Sequence, residues 1–264
     1  MGLFDSLFKH SRDDLAFDSN EIVQAIREND LNKLARIAVD NQSLLQFEDR
    51  LNLIESDGHT FLSRLLSKGQ GQLAKYVMSF GARVDVKLPN GKLVGQMNTD
   101  QSISRFLDVI NCIMNGKFGA DDVIAFSAGA VPHTPLLWMT KLGYYYGVKY
   151  FLSVRHADPN KYYSNYSTPL MIATEMGYVH FIDLLAKYGA NMNQADGDGW
   201  SALSFAAANI DHAPNGLGCS AQTLIKNGAD IDHRNNRGQT PLALAIRYGN
   251  DIVAQILRQA GASM

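Results

Sequence analysis

The stretch Thr168-Pro169-Leu170-Met171-Ile172-Ala173-Thr174-Glu175-Met176-Gly177-Tyr178-Val179-His180-Phe181-Ile182-Asp183-Leu184-Leu185-Ala186-Lys187-Tyr188-Gly189-Ala190 reads as two short helices back to back. Thr168 is a helix cap, and Pro169 at the first helical position loses no hydrogen bond. Leu170, Ile172 and Ala173 give the first helix an apolar face, and Gly177 ends it. Phe181, Ile182, Leu184 and Leu185 then form a second apolar face at helical spacing. Gly189 closes the pair in a left-handed conformation. One such pair cannot bury both faces, so neighbours must stack.

The same unit recurs outward from this stretch. Thr134-Pro135-Leu136, Thr168-Pro169-Leu170, Ser201-Ala202-Leu203 and Thr240-Pro241-Leu242 follow one another at intervals of 34, 33 and 39 residues. The small pairs Gly81-Ala82, Gly129-Ala130, His156-Ala157, Gly189-Ala190, Gly228-Ala229 and Gly261-Ala262 mark the unit ends. From Thr60 to Gly81, Thr168 to Gly189 and Thr240 to Gly261 the distance is 21 each time. A period of this length is the mark of a solenoid.

The segments Arg237-Gly238-Gln239-Thr240-Pro241-Leu242-Ala243-Leu244-Ala245 and Asn227-Gly228-Ala229-Asp230-Ile231-Asp232 resemble ankyrin repeats. The resemblance is specific over 134–262, weaker over 57–86, and faint over 20–47. In the last of these, Ile22-Val23-Gln24-Ala25-Ile26 and Leu31-Asn32-Lys33-Leu34-Ala35 look like a degenerate capping pair, and Asp18 with Glu21 supports a helix start. The expected fold is an all-α, ankyrin-type solenoid of about seven helix pairs over residues 18–264, in one stack, behind an N-terminal amphipathic segment at 1–17.

Three departures from the family pattern carry expectations. Leu137, Met171, Ser204 and Ala243 stand where the family has a His after Thr-Pro-Leu, so hydrogen bonding between neighbouring turns should be weaker. Gly81 to Gly129 is 48 residues, which places an insertion in 83–107, a distorted pair near 108–130, and an irregular region over 83–133. Ser201 to Gly228 is 27, an insertion around Asn209–Gly216. The final unit must supply its own polar outer face, from Asp251, Gln255, Arg258 and Gln259.

Composition narrows the function. Hydrophobic residues are 46% and charged residues 19%, with 24 Lys+Arg against 26 Asp+Glu, as in an ordinary soluble domain rather than a nucleic-acid binder. Cys112 and Cys219 form neither a disulfide framework nor a metal pattern and read as reduced, semi-buried thiols in a cytoplasmic protein. The seven His residues are too dispersed for a metal site, and no phosphate-binding glycine motif occurs. No cofactor is expected. Asp211, His212 and Cys219 fall within nine residues, which leaves a Cys/His enzyme using the 209–219 insertion as the alternative to a non-catalytic protein. Leu3, Phe4, Leu7 and Phe8 make one apolar face that either docks on the first repeat or lies on a membrane through residues 2–9. Gly2 with Ser6 also fits an N-myristoylation pattern.

The resemblance implies a protein-binding surface of finger loops and first helices. Seven of the eleven tyrosines lie within 144–166. Tyr162 and Tyr163 fall on a finger, while Tyr146 and Tyr150 are open between core and contact. Trp138 aligns with Ile172, Phe205 and Leu244 and reads as core. Trp200 aligns with the polar Ser167 and Gln239 and reads as an exposed anchor. The expected contact residues are Tyr162, Tyr163, Asn165 and Glu175 in one unit, Asp198, Trp200 and Asn209 in the next, and Arg237, Gln239, Arg247 and Tyr248 in the third. The expected protein is a monomer that binds a protein partner as an adaptor, an inhibitor or an effector.

Overall fold

A computed structural model describes residues 51–54, 56–125, 132–162, 167–208 and 216–263. The N-terminal segment 1–17 and the faint pair at 20–47 lie outside these residues.

Five first helices begin alike. They are α1 (Phe61–Ser67), α4 (Pro135–Lys141), α6 (Pro169–Glu175), α8 (Ala202–Ala208) and α10 (Pro241–Arg247). Each follows a hydroxyl residue, Thr60, Thr134, Thr168, Ser201 or Thr240, whose side-chain oxygen accepts the N–H three residues on. Such a cap is worth about 1 kcal/mol, a large share of the stability of a helix this short. The second helices are α2 (Gly71–Ser79), α3 (Ser104–Asn115), α5 (Tyr145–Ser153), α7 (Val179–Lys187), α9 (Gly216–Lys226) and α11 (Asp251–Gln259). Phe181, Ile182, Leu184 and Leu185 are all buried, as the spacing predicts, and one hydrophobic core runs from Leu51 to Leu257. His156 takes the end position that Gly189 fills in the next unit, with φ 53 against 88.

A ladder of side-chain bonds joins one finger to the next. A polar residue four places past the unit ends at His156, Gly189 and Gly228 ties its finger to the next. The Asn160 side-chain amide donates to the Gly189 carbonyl at 3.1 Å, and its Oδ1 accepts the Asn191 N–H at 2.7 Å. Asn193 does the same to Gly228 and Asp230, at 3.4 and 2.7 Å. Asn52 bonds to Gly81 and Arg83, at 2.9 and 2.7 Å, and Asp232 accepts from Ser263 at 2.8 Å. Within the caps, the Ser63 hydroxyl takes the Thr60 N–H at 3.0 Å, and the Met171 sulfur faces the Thr168 N–H at 3.5 Å.

Residues 83–115 form a repeat without an α-helical first half. Its finger closes through a bridge between Lys87 and Leu93. The place of a first helix is then taken by the 3-10 turns Val94–Met97 and Gln101–Ile103. This pair therefore lies at 94–115 rather than near 108–130. The 3-10 turns fold back on the first unit. Asp100 accepts the Gly71 N–H at the start of α2 (2.9 Å), and Thr99 donates its hydroxyl to the Leu66 carbonyl (3.0 Å). The unit ends after α3. Asp121, in the following finger, accepts the Asp158 N–H at 3.2 Å, much as Asn160 accepts that of Asn191. Gly129-Ala130 lies outside the described residues.

Among the described residues the ladder has no rung between the finger at 81–93 and that after α3. Asp85 pairs instead with Arg83 of its own finger, at 2.8 Å. The units on either side meet through aromatic packing. Helix α2 rests against α5. The Tyr144 hydroxyl, fully buried, accepts the Val84 N–H at 3.3 Å. The Arg83 guanidinium lies 4.2 Å above the Tyr146 ring. His180, buried in α7, donates from Nε2 to the Ser79 carbonyl at the end of α2 and stacks on Phe80 at 4.9 Å.

Candidate protein-binding surface

Described fingers are braced by their neighbours. The finger at 189–200 is closed by a bridge between Ala195 and Ser201. The Asp196 carboxylate accepts the N–H groups of Asp198 and Trp200, at 3.0 and 2.7 Å. Three bonds from the next finger hold it from one side. Asn236 donates its N–H to the Asp198 carbonyl (3.1 Å) and its amide to that of Gly197 (3.0 Å), and His233 donates to that of Gly199 (2.9 Å). The contact is close enough that a Cβ at Gly199 would fall 2.5 Å from Asn236 Oδ1. A projecting loop with its backbone fixed this way presents side chains at low entropic cost.

The predicted contact residues separate into three groups. Tyr162, Glu175, Asp198, Arg237, Arg247 and Tyr248 are exposed, Tyr162 and Tyr248 by 41% each. Trp200 and Gln239 are half-buried. Tyr163, Asn165 and Asn209 lie outside the described residues. Asp198 and Trp200 share one hairpin, and Arg237 and Gln239 share the next, which the Asn236–Asp198 bond joins to it. Arg247 stands 5.9 Å from the Tyr248 ring.

Trp200 is not the fully exposed anchor its alignment suggested. Its ring leans on Phe205 at 5.5 Å and joins the rim of the core. The reason is a register pair, the residue before the cap and the one four after it. His133 and Trp138 occupy the same two positions two units earlier and meet at 5.1 Å. Trp138 is accordingly half-buried rather than core, and its Nε1 donates to the Ile124 carbonyl at 3.0 Å, which anchors the finger before α4. Burial holds His133 below the usual histidine range. Tyr146 and Tyr150 are half-buried against the core, and Tyr144 and Tyr145 are buried.

The repeat register adds one position to the candidate surface. Glu175 and Arg247 end their helices seven residues after the capping threonines, and both are exposed. Lys141 holds the same position after Thr134 and is exposed too. The signal was in the repeat register itself.

The thiol chemistry gains no described site. Cys112 is exposed on α3, which corrects the semi-buried reading, and Cys219 is half-buried in α9. Asp211 and His212 lie outside the described residues. Among the described residues no group of three His, Cys, Asp or Glu side chains is placed to hold a metal, and no helix is long and apolar enough to cross a membrane. Asp251, Gln255, Arg258 and Gln259 are exposed on the last helix, where a polar outer face is required.

Capped helix pairs, stacked in register with hairpin fingers along one edge, define an α-helical repeat solenoid of the protein-binding kind. The chain carries ankyrin repeats. The family model for ankyrin repeats in three copies matches residues 136–217, and that for the single ankyrin repeat matches 237–264. Among curated proteins it is similar to neurogenic locus notch homolog protein 1 of Homo sapiens, 40% identical over 81 residues, 30% of this chain and 3% of that protein. It is also similar to the potassium channel AKT1 of Oryza sativa subsp. indica, 33% identical over 92 residues (35% of this chain, 9% of the channel). A third relative is the ARF GTPase-activating protein Git of Drosophila melanogaster, 44% identical over 57 residues (21% of this chain, 8% of that protein). The chain thus covers less than a tenth of the length of each. The likeness is to a protein–protein interaction domain.

Proposed function

We propose that the chain is a non-catalytic scaffold that captures one protein partner on its fingers and first-helix ends, and acts as an adaptor, an inhibitor or an effector. The observation that carries this reading is the contrast between positions within one register. The caps are Thr or Ser in all five helical units, and the positions beside them stay apolar. The position seven residues after the cap changes from Ser67 to Lys141, Glu175, Ala208 and Arg247, and is exposed in all but the half-buried Ala208. Folding constrains the first set and leaves the second free to match a partner. The same holds at the fingers, where Asp198 and Arg237 stand on neighbouring hairpins joined by the Asn236–Asp198 bond, and Tyr162 is exposed. The protein works as a monomer in this reading, with no cofactor and no nucleic acid.

The test is site-specific photo-crosslinking. A photoreactive residue at Asp198 or Arg237 should trap one discrete protein. The same probe at Gln222, exposed on a second helix, should trap none of it. Equal trapping from Gln222, or turnover of the trapped protein that depends on Cys219, would sink the proposal.

A further inference from the structure

The finger at 81–93 carries a chemical weak point at its tip. Leu88, Pro89, Asn90 and Gly91 form a tight turn in which the Gly91 N–H donates to the Leu88 carbonyl at 2.9 Å. Gly91 adopts φ 83, and both Asn90 and Gly91 are exposed. The Asn90 side chain folds back over the turn, and its Oδ1 accepts the Lys92 N–H at 3.0 Å.

We propose that Asn90 is a site of spontaneous deamidation that sets the chemical lifetime of this finger. The Gly91 backbone nitrogen attacks Asn90 Cγ, so an N–Cγ bond forms while the Cγ–Nδ2 bond breaks. Ammonia leaves with the proton from Gly91, and the product is a five-membered succinimide. Water then opens the ring at one carbonyl or the other, giving aspartate or isoaspartate. Negative charge develops on Oδ1 during the attack, where the Lys92 N–H already points. Glycine at 91 puts no side chain in the way of the new bond, and nothing lies within 4 Å of where its Cβ would be.

Two other described Asn-Gly pairs lack this arrangement. Asn115 is the last residue of α3, and its Gly116 is wedged against the Cys112 carbonyl, 2.6 Å from where a Cβ would sit. The Asn227 amide donates to Asp183 at 2.9 Å and to the Thr223 carbonyl at 2.8 Å. Both attacking nitrogens must leave a turn bond, Gly91 from Leu88 and Gly228 from Ile225, but the Asn90 amide has only a 4.0 Å contact to the Met97 sulfur to give up, whereas that of Asn227 must break two bonds to oxygen, which slows it by at least about tenfold. Conversion at Asn90 adds a negative charge to the hairpin. In the isoaspartate product it also adds a methylene to a backbone that the Leu88–Lys92 bond closes at 2.8 Å.

The full chain is incubated at neutral and mildly alkaline pH, then mapped by peptide mass and by labelling with an isoaspartyl methyltransferase. The expected result is label on the peptide holding residue 90, growing faster at higher pH, at least about tenfold faster than at Asn227, and absent from Asn90→Gln. An Asn90 that keeps its amide, or an Asn115 or Asn227 that converts as fast, would overturn the proposal.

Discussion

Asn160 bonds to Asn191 across two fingers, 31 residues apart in sequence, with the Asn160 Oδ1 2.7 Å from the Asn191 nitrogen. The same side chain donates to the Gly189 carbonyl. One amide thus satisfies an N–H and a carbonyl that the turn after α7 leaves without helical partners. Asn160→Ala should lower stability by about 1–3 kcal/mol, since both groups lose a partner. Asn160→Asp keeps the acceptor but not the donor and should fall between the two. Thermal melts of the three proteins check the order.

The interrupted ladder predicts where the chain opens first. Stability in a solenoid is close to a sum of unit and neighbour terms, so a joint without its rung is the weakest. Amide hydrogen exchange should be faster across 83–125 than across 168–208 and 240–260. Uniform protection would show that the aromatic joint at Tyr144 and His180 fully replaces the missing rung.

That joint should be sensitive to acid. Complete burial lowers the His180 pKa from its ordinary 6.5 to about 4, despite the bond to Ser79 that opposes the shift. The folded state therefore binds fewer protons than the unfolded chain between these values. His180 contributes its full stability above about pH 6.5 and loses it as pH falls toward 4, on the order of 3 kcal/mol in all. His180→Phe should be less stable at neutral pH, because the Ser79 carbonyl loses its donor, but should show a flatter stability profile from pH 6.5 to 4. An identical pH slope in both proteins would move the acid sensitivity elsewhere.

The regular units were legible because each local choice agrees with the next: hydroxyl cap, proline, apolar face, left-handed end. Residues 83–133 were not, because Val94-Gly95-Gln96-Met97 stands where Thr-Pro-Leu would announce a helix. With that mark gone, the pair Gly129-Ala130 resembles the unit end, although the helix stops at Asn115. The ladder was hidden for a different reason. Its asparagines are common loop residues, and only their bonds across about 30 positions distinguish them. The half-burial of Trp200 depends on Phe205, five residues on, a pairing the polar equivalents Ser167 and Gln239 do not announce.

Trp200 should therefore show two roles at once. Trp200→Ala should lower the melting temperature, through the lost contact with Phe205, by an amount equivalent to about 1–2 kcal/mol. It should also weaken partner binding by about 2 kcal/mol if the open side of the ring is an anchor. Trp200→Phe should recover most of the stability and only part of the affinity.

The most direct measurement is a calorimetric titration of the crosslinked partner, once purified, against Glu175→Lys, Arg247→Glu and Gln222→Arg. All three sites are exposed, so each variant should stay within about 0.5 kcal/mol of wild-type stability. A partner bound across the first-helix ends should lose affinity by at least about tenfold, or 1.4 kcal/mol, in the first two and be unchanged in the third. Unchanged affinity in Glu175→Lys and Arg247→Glu, or a loss confined to Gln222→Arg, would contradict the account.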